Sequence, residues 1–213
     1  MKDRFRVFID SCEPDEADPL LDKLEREAVA LGVPIIKRET LAFLKTQLQL
    51  KAPRRVLEVG CGIGYSVLQM AGVLPEASFV TLELDHGRCE RAAYYIGISG
   101  QSARISLLEG DAGALLKTLR EPFDFIFLDG PKGQYPLYFP ELDRLLAPGG
   151  VLFADNILRE GSLLASRYAL PRRQRTIHER LRTYVRMLYG HPGYQNALLP
   201  VGDGVLLSVK QHE

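Results

Sequence analysis

The sequence predicts an α/β fold: a doubly wound, mostly parallel sheet with an antiparallel edge strand and extra helices before the sheet. Two observations lead to this fold class. Between residues 55 and 154, short apolar runs typical of buried strands alternate with segments of helical periodicity. Near the end of the chain, two further apolar runs follow each other without a helix between them, which predicts an antiparallel pair at one edge. Repeated strand–helix units place helices on both faces of a parallel sheet.

The length and composition of the chain predict one domain over residues 1–213. Hydrophobic residues make up 46% of the 213 residues and charged residues 25%, which is typical of a globular protein with a substantial core. No internal repeat or low-complexity linker divides the chain. We expect residues 1–52 to form an N-terminal helical cap and residues 53–213 to form the catalytic core.

Two helices are predicted before the first strand. Apolar residues recur at helical spacing from Asp15 to Leu31, and Gly32 ends the pattern. A second helical segment runs from Glu39 to Leu50, with Pro53 beyond its end.

From residue 55 onward the predicted strands and helices follow in order. The strands are Arg55–Val59, Phe79–Leu84, Arg104–Leu108, Phe123–Leu128, Val151–Ala154, Ala197–Leu199 and Val205–Val209. The helices are Tyr65–Leu74, Gly87–Ile96, Ala112–Leu119, Tyr135–Leu146 and Gln174–Tyr189. Ligands of such sheets bind outside the carboxyl ends of the parallel strands, so residues that follow the strands are candidates for a site.

The cysteine pattern and the apolar runs predict a cytoplasmic protein that does not enter a membrane. Cys12, Cys61 and Cys89 are scattered and form no C-x-x-C pair, which argues against a disulfide framework and a zinc knuckle. The first ten residues lack the apolar core of a secretory signal, and no apolar run approaches the length of a membrane span.

Charge is balanced overall but unevenly distributed. The formal net charge is +0, so the protein as a whole is no polyanion binder. Residues 10–27 contain eight acidic residues, and residues 159–186 contain eight arginines. The basic segment could bind a partner or could be the solvated face of a helix, and the sequence favours neither.

A glycine-rich loop follows the first predicted strand. The stretch EVGCGIGYS, residues 58–66, contains Gly60, Gly62 and Gly64, which allow the backbone to turn tightly and approach a ligand. The next strand ends at Glu83, 23 residues after Gly60 (83 − 60), where a carboxylate can accept the ribose hydroxyls of a nucleoside cofactor. The alternative is a tight turn beside a surface glutamate.

Other candidates for cofactor binding lie within or after the same strands. Glu58, Tyr65 and Ser66 belong to the glycine loop, and Tyr65 could pack beside the cofactor. Asp111 and Ala112 follow the third strand, where Asp111 could face the cofactor or cap the next helix.

Two neighbouring strands end in oxygen-bearing side chains. Asp129 follows the fourth strand, and Asp155 and Asn156 follow the fifth. Mg²⁺ and Mn²⁺ prefer such oxygen ligands, whereas no cluster of histidine and cysteine accompanies them for zinc. Lys132 could then take a proton from a substrate hydroxyl, the alternative being a solvated loop lysine.

These motifs give the chain a resemblance to a known family. The stretches VLEVGCGIGYS, TLELD, GDA, FLDGPKGQY, GGVLFADNIL and HPGYQNALLPVGDGV resemble those of the metal-dependent O-methyltransferases that use S-adenosylmethionine, the class of the catechol and caffeoyl-CoA enzymes. The resemblance implies a Rossmann-like methyltransferase sheet. It also implies metal binding by Asp129, Asp155 and Asn156, with Asp129 also at the cofactor, and a catalytic role for Lys132. Glu83 would bind the ribose.

Within that class the stretches KGQY and HPGYQNALLPVGDG most resemble bacterial tRNA 5-hydroxyuridine methyltransferases, which act on the wobble base. This chain has Gly130-Pro131 where that group usually has two alanines, and Cys61 where threonine is common. Val205-Leu206 lacks the glutamate that animal catechol enzymes use, which argues against a catechol specialist.

The resemblance implies a homodimer and leaves three functions open. The first is methylation of tRNA, with Arg172, Arg173 and Arg175 as candidate contacts to phosphates. The second is methylation of a small hydroxylated aromatic such as a catechol or another vicinal diol. The third is a cofactor-binding scaffold without catalysis.

Overall fold

A computed structural model describes Phe8, residues 18–159 and residues 161–212. The predicted first helix therefore lies partly outside the described residues, as do Cys12 and much of the acidic segment. Within the described part of the chain, no helix combines the length and the apolar character needed to cross a membrane.

The helices and strands alternate as the sequence predicts. The helices are α1 (Pro19–Leu31), α2 (Arg38–Lys51), α3 (Tyr65–Val73), α4 (His86–Ile98), α5 (Ala112–Thr118), α6 (Tyr135–Leu145) and α7 (Arg172–Tyr189). The strands are β1 (Arg55–Val59), β2 (Ser78–Glu83), β3 (Ile105–Glu109), β4 (Phe123–Leu128), β5 (Leu146–Ala154), β6 (Tyr194–Leu199) and β7 (Val205–Lys210). Short 3₁₀ turns are formed by Lys132–Gln134, Ser162–Leu164 and Arg167–Ala169.

The seven strands form one sheet in the order β3-β2-β1-β4-β5-β7-β6. The first five strands are parallel, whereas β7 is antiparallel to both β5 and β6. The predicted α/β class and the antiparallel pair at one edge are therefore confirmed. The strand order reverses between β1 and β4, and such a reversal opens a crevice at the carboxyl ends of the strands.

Alternate residues of the central strands supply two cores, one on each face of the sheet. On β4, Phe125 and Phe127 belong to the core shared with α1–α4, whereas Ile126 and Leu128 belong to the core shared with α5–α7. This follows from the period of two in a strand, and it explains why the run is apolar throughout. Helices α1 and α2 pack on the first core, but the assignment of residues 1–213 to one domain stays a prediction.

Two of the last predicted strands were too short at their amino ends. Strand β5 begins at Leu146, before Gly149 and Gly150, because Leu146 pairs with Phe123 across a register shift. Strand β6 begins at Tyr194, where the antiparallel pairing with β7 starts. Pairing partners distant in sequence extend both strands beyond their apolar runs.

Phe153 links α2 to the sheet, so its truncation should destabilise the protein. Its ring is fully buried, with centroids 5.7 Å from Phe43 and 5.8 Å from Phe127. We expect Phe153→Ala to lower the free energy of unfolding by about 3–5 kcal/mol, measured by urea denaturation. Leu164→Ala, at a residue 75% exposed, should change it by less than about 0.5 kcal/mol. A loss below 1 kcal/mol for Phe153→Ala would contradict this account of the core.

Candidate functional site

A cleft of about 900 Å³ lies at the carboxyl ends of the parallel strands. The predicted residues that line it are Gly60, Gly62, Tyr65, Ser66, Glu83, Asp111, Ala112, Asp129, Lys132 and Asn156. The structure therefore brings together residues from the carboxyl ends of all five parallel strands, with Lys132 in the turn after β4. Glu58, Gly64 and Asp155 lie outside the lining, behind the loops that form it.

The glycine loop approaches the end of β4 more closely than any larger residue would permit. Gly60 has a φ of +101°, and a Cβ built on it would lie 2.6 Å from the carbonyl oxygen of Asp129. The backbone N–H groups of Gly60 and Cys61 both donate to the carbonyl of Leu82 on β2, each at 3.0 Å. The loop is thus fixed between β2 and β4.

Glu83 organises the loop through its carboxylate. Its Oε2 accepts from the backbone N–H of Gly62 at 2.8 Å, and its Oε1 accepts from Leu84 and Asp85 at 2.9 and 3.0 Å. These three bonds leave acceptor capacity on a carboxylate that also lines the cleft. Glu83 is therefore not the isolated surface glutamate of the alternative interpretation.

Glu58 supports the loop from behind. Its two carboxylate oxygens accept hydrogen bonds from the hydroxyls of Ser66 on α3 and Thr81 on β2. Burial raises the pKa of Glu58 to about 7, although both hydroxyl bonds lower it. Gly64 also lies behind the cleft, where a Cβ would be 3.4 Å from Ala92 of α4. Both residues thus set the position of the loop and do not face the cleft.

Asp111 caps a helix at the rim of the cleft. Its Oδ1 accepts from the backbone N–H of Ala114 at 2.9 Å, as expected of an N-cap. Tyr138 of α6 lies beside it and also lines the cleft. The capping role of Asp111 is therefore confirmed, and its place at the cleft is compatible with a ligand contact as well.

The carboxylates after β4 and β5 are held side by side by the sheet. The N–H of Asp155 donates to the carbonyl of Leu128, the residue before Asp129, at 3.0 Å. Asp155 is fully buried, and its Oδ1 accepts from the N–H of Asn156 at 2.6 Å. Its Oδ2 is buried and accepts no hydrogen bond from the described residues. Burial, and then the negative charge of Asp129, raise the pKa of Asp155 to about 7.

This arrangement fits a divalent cation. A buried carboxylate oxygen without a donor, next to a second carboxylate, is costly unless a positive charge compensates it. Among the described residues, no three side chains of His, Cys, Asp or Glu are grouped so as to hold a metal ion. An amide oxygen would therefore complete the ligand set, and Asn156, with a φ of +54°, lines the cleft beside the two carboxylates.

Lys132 extends into the same cleft. Its Nζ lies 2.5 Å from Oδ1 of Asp129 and 5.5 Å from the centre of the Tyr135 ring. Only 17% of the Lys132 side chain is exposed. The alternative interpretation of a solvated loop lysine is therefore wrong.

The predicted arginines do not line the cleft. Arg172 and Arg173 are exposed in the first turn of α7, and Arg175 donates through Nε to the carbonyl of Leu170 at 3.1 Å. Helix α7 is linked to the turn that carries Lys132 by Arg180, whose Nη1 donates to the carbonyl of Gly133 at 3.0 Å. Neither Gly133 nor any residue of α7 lines the cleft, so the expectation that the arginine-rich segment borders the cleft is not confirmed.

Sequence reasoning missed the segment between α1 and α2, and two residues of α4. Residues 33–37 and His86 and Arg88 line the cleft, although no motif marks them. The available signal was Gly32, whose φ of +65° turns the chain, followed shortly by Pro34. A turn before a proline predicts a loop, but only the folded chain shows that this loop reaches the carboxyl ends of the strands.

Comparison with known proteins agrees with the fold. A family profile described as O-methyltransferase matches residues 11–211. A caffeoyl-CoA O-methyltransferase of Populus kitakamiensis is 31% identical in an alignment of 215 positions. The alignment covers 94% of this chain and 90% of the relative. A catechol O-methyltransferase of Niastella koreensis is 36% identical over 127 residues, which cover 57% of this chain and 58% of the relative.

A solved structure shows the same architecture with a product of the cofactor bound. The O-methyltransferase from Bacillus cereus in complex with SAH is 26% identical, with a TM-score of 0.84 and 94% of each chain covered. The fold, the profile and these relatives confirm the O-methyltransferase family and its cofactor S-adenosylmethionine, but they do not show the predicted closer resemblance to tRNA 5-hydroxyuridine methyltransferases. The chain belongs to the O-methyltransferase family of the caffeoyl-CoA and catechol type, whose members take their methyl group from S-adenosylmethionine.

Proposed function

We propose that the protein methylates a ring hydroxyl with the help of a divalent cation, Mg²⁺ or Mn²⁺. The observation that carries this proposal is the buried Oδ2 of Asp155, which lies next to Asp129 without a hydrogen-bond donor among the described residues. A cation held by Asp129, Asp155 and Asn156 would lower the pKa of an acceptor hydroxyl and stabilise negative charge on its oxygen.

Lys132 is the proposed base. Its Nζ lies 2.5 Å from Oδ1 of Asp129, a carboxylate that would also hold the cation. As a neutral amine, Lys132 could accept the proton of the acceptor hydroxyl. The ring of Tyr135, 5.5 Å from Nζ, limits where the amine can move. Tyr135 is itself fixed, since its hydroxyl donates to the carbonyl of Leu128 at 3.1 Å.

The glycine loop and Glu83 are the proposed binding site for S-adenosylmethionine. Gly60 and Gly62 bring backbone close to the cleft, and Glu83 retains acceptor capacity for ribose hydroxyls. Tyr65, Ser66, Asp111 and Ala112 complete the wall on that side. The methyl donor would then lie in the cleft that Lys132 also lines.

The proposed acceptor is 5-hydroxyuridine at the wobble position of tRNA. The support is the similarity of the KGQY and HPGYQNALLPVGDG stretches to that group and the exposed Arg172 and Arg173 on α7. A small catechol-like diol is the second candidate, and the names of the relatives from Populus kitakamiensis and Niastella koreensis favour it. A non-catalytic scaffold is the least supported, because it leaves the pairing of Lys132 with Asp129 inside the cleft without a purpose.

Three further properties belong to the same proposal. We propose a homodimer, supported by apolar side chains on α1 and α2 that are exposed in one chain, Val29 at 73%, Leu31 at 53% and Leu50 at 77%.

A cytoplasmic location is consistent with free, buried thiols at Cys61 and Cys89. The single domain over residues 1–213 is supported by the core that α1 and α2 share with the sheet.

Removal of the cation should abolish methyl transfer. We expect a chelator to lower the rate at least ~100-fold, because charge stabilisation worth several kcal/mol is lost, and Mg²⁺ or Mn²⁺ to restore it. The measurement is transfer of methyl label from S-adenosylmethionine. Asp155→Asn should be inactive at any metal concentration, whereas Asp143→Asn, at a carboxylate that pairs with Lys210 instead, should respond like the parent protein. Full activity after exhaustive metal removal would contradict the proposed mechanism.

Loss of the Glu83 carboxylate should weaken cofactor binding. Glu83→Ala removes an acceptor for the ribose and three bonds that fix the loop, so we expect affinity to fall by about 1–3 kcal/mol, or roughly 5- to 150-fold. Titration calorimetry with S-adenosylmethionine measures the change. The matched control is Glu109→Ala, since Glu109 ends the neighbouring strand in register with Glu83. Equal affinities for the two variants would remove Glu83 from this role.

The acceptor can be identified by offering both candidates. We expect methyl label to enter the anticodon loop of tRNA that carries unmethylated 5-hydroxyuridine, and to enter a catechol slowly or not at all. Lys132→Ala should lower this transfer by ~10²–10⁴-fold without changing cofactor affinity, because only proton transfer is impaired. Label in small diols alone would favour the second candidate, and label in neither would favour the scaffold.

A further inference from the structure

A second cavity, of about 430 Å³, lies between α7 and the turns that follow β5. It shares no lining residue with the cleft. Its wall is formed mainly by charged and polar side chains, including Arg167, His178, Glu179, Arg182, Thr183 and Arg186. The proposed function uses none of these residues.

The charge of this cavity is not balanced by its own carboxylate. Arg167 pairs with Glu179 at 2.5 Å, which neutralises one guanidinium. Among the described residues, Arg182 donates only to the carbonyl of Leu163, at the long distance of 3.4 Å. No hydrogen bond or ion pair of the Arg186 guanidinium with another described residue is found. Two positive charges therefore remain in one concave site, and this attracts an anion.

One ring nitrogen of a buried histidine in the same wall lacks a partner among the described residues. His178 is 2% exposed, and its Nε2 lies 3.2 Å from the carbonyl of Ala165, which can only accept a hydrogen bond. Nε2 is therefore the donor in this bond. Nδ1 is buried without a hydrogen-bond partner among the described residues. A ligand with a hydroxyl next to its anionic group would supply the missing donor, and the ribose-phosphate unit of RNA has both.

Helix α7 relates this cavity to the cleft. Arg180 and Ile177 lie against Gly133, in the turn that carries Lys132, whereas Arg182 and Arg186 lie on the side facing the cavity. A helix with its side chains is about 10–12 Å across. At a rise of roughly 3.4 Å per nucleotide, that distance corresponds to about three nucleotides of a strand.

An exposed aromatic side chain lies next to the cavity in sequence. Tyr168 follows Arg167 in the same 3₁₀ turn and is 82% exposed. Aromatic rings beside basic side chains are typical of surfaces that bind single-stranded nucleic acid, because the ring stacks on a base while the cations contact phosphates.

We propose that this cavity binds a backbone phosphate of an RNA acceptor, a few nucleotides away from the base that enters the cleft. Arg182 and Arg186 contact the phosphate, and the neighbouring 2′-hydroxyl donates to Nδ1 of His178. The inference rests on the proposal that the acceptor is RNA. A coenzyme A thioester also carries phosphates, whereas a simple catechol carries none.

The test compares the double variant Arg182→Ala/Arg186→Ala with Arg120→Ala. Arg120 is an exposed arginine just before β4, at the amino end of the strand and thus at the opposite edge of the sheet. Binding of an RNA stem-loop with 5-hydroxyuridine is measured by fluorescence anisotropy at several salt concentrations. We expect the double variant to bind at least tenfold more weakly at low salt, and its slope of log affinity against log salt to flatten by about 0.7, the value for one lost phosphate contact. The single variant Arg186→Lys, which keeps the positive charge, should retain most of the affinity of the parent protein. Arg120→Ala should bind RNA as tightly as the parent protein.

A second measurement separates the cavity from the identity of the acceptor. Inorganic phosphate is titrated into the full chain without acceptor, and backbone NMR signals of residues 178–186 are followed in the parent protein and in the double variant. Shifts in the parent protein alone support the phosphate site even if no RNA is methylated. Absence of these shifts, or an unchanged salt slope for RNA in the double variant, would overturn the proposal. If coenzyme A shifts these signals and RNA does not bind, RNA is not the source of the phosphate.

Discussion

The close approach of the glycine loop to the end of β4 is the constraint on which the rest of the site depends. Gly60 lies so near the Asp129 carbonyl that a methyl group on its Cα would clash with backbone. The contact exists because β1 and β4 are parallel neighbours at the reversal of strand order, and the N–H of Asp129 donates to the carbonyl of Val59 at 2.9 Å. One backbone contact therefore sets the distance between the proposed cofactor wall and the proposed metal ligands.

Two carboxyl groups are buried beneath the cleft, and they differ in how many hydrogen-bond donors compensate their burial. Burial raises the pKa of both Glu58 and Asp155 to about 7. Glu58 receives two hydroxyl donors and thereby joins three elements, β1, β2 and α3. Asp155 receives one backbone N–H and keeps one oxygen without a donor in the described structure. The satisfied group is an anchor, whereas the unsatisfied one is the carboxylate on which the proposed cation site rests.

The sequence predicts those parts of the site that are set by local rules. The sequence alone shows three such features: glycines after a strand, an acid at the end of the next strand and acids after two buried strands. They can be assigned to one site because parallel strands present their carboxyl ends at one edge of the sheet. The lining by residues 33–37 could not be read in this way, because it depends on how α1 and α2 pack against the sheet. The start of β5 at Leu146 depends on a partner on β4, and the bond from Arg180 to Gly133 joins residues 47 positions apart. Each of these features is decided by pairing across the fold, which a single sequence does not display.

The bond from Arg180 to Gly133 has a mechanical consequence. The 3₁₀ turn of Lys132–Gln134 is hydrogen-bonded to α7 through this guanidinium, so the placement of the turn depends on the placement of the helix. A macromolecule bound to the outer face of α7 would therefore contact an element that is linked to the turn carrying the amine. Binding of the acceptor and placement of that amine would then be linked through one helix, without a separate lid.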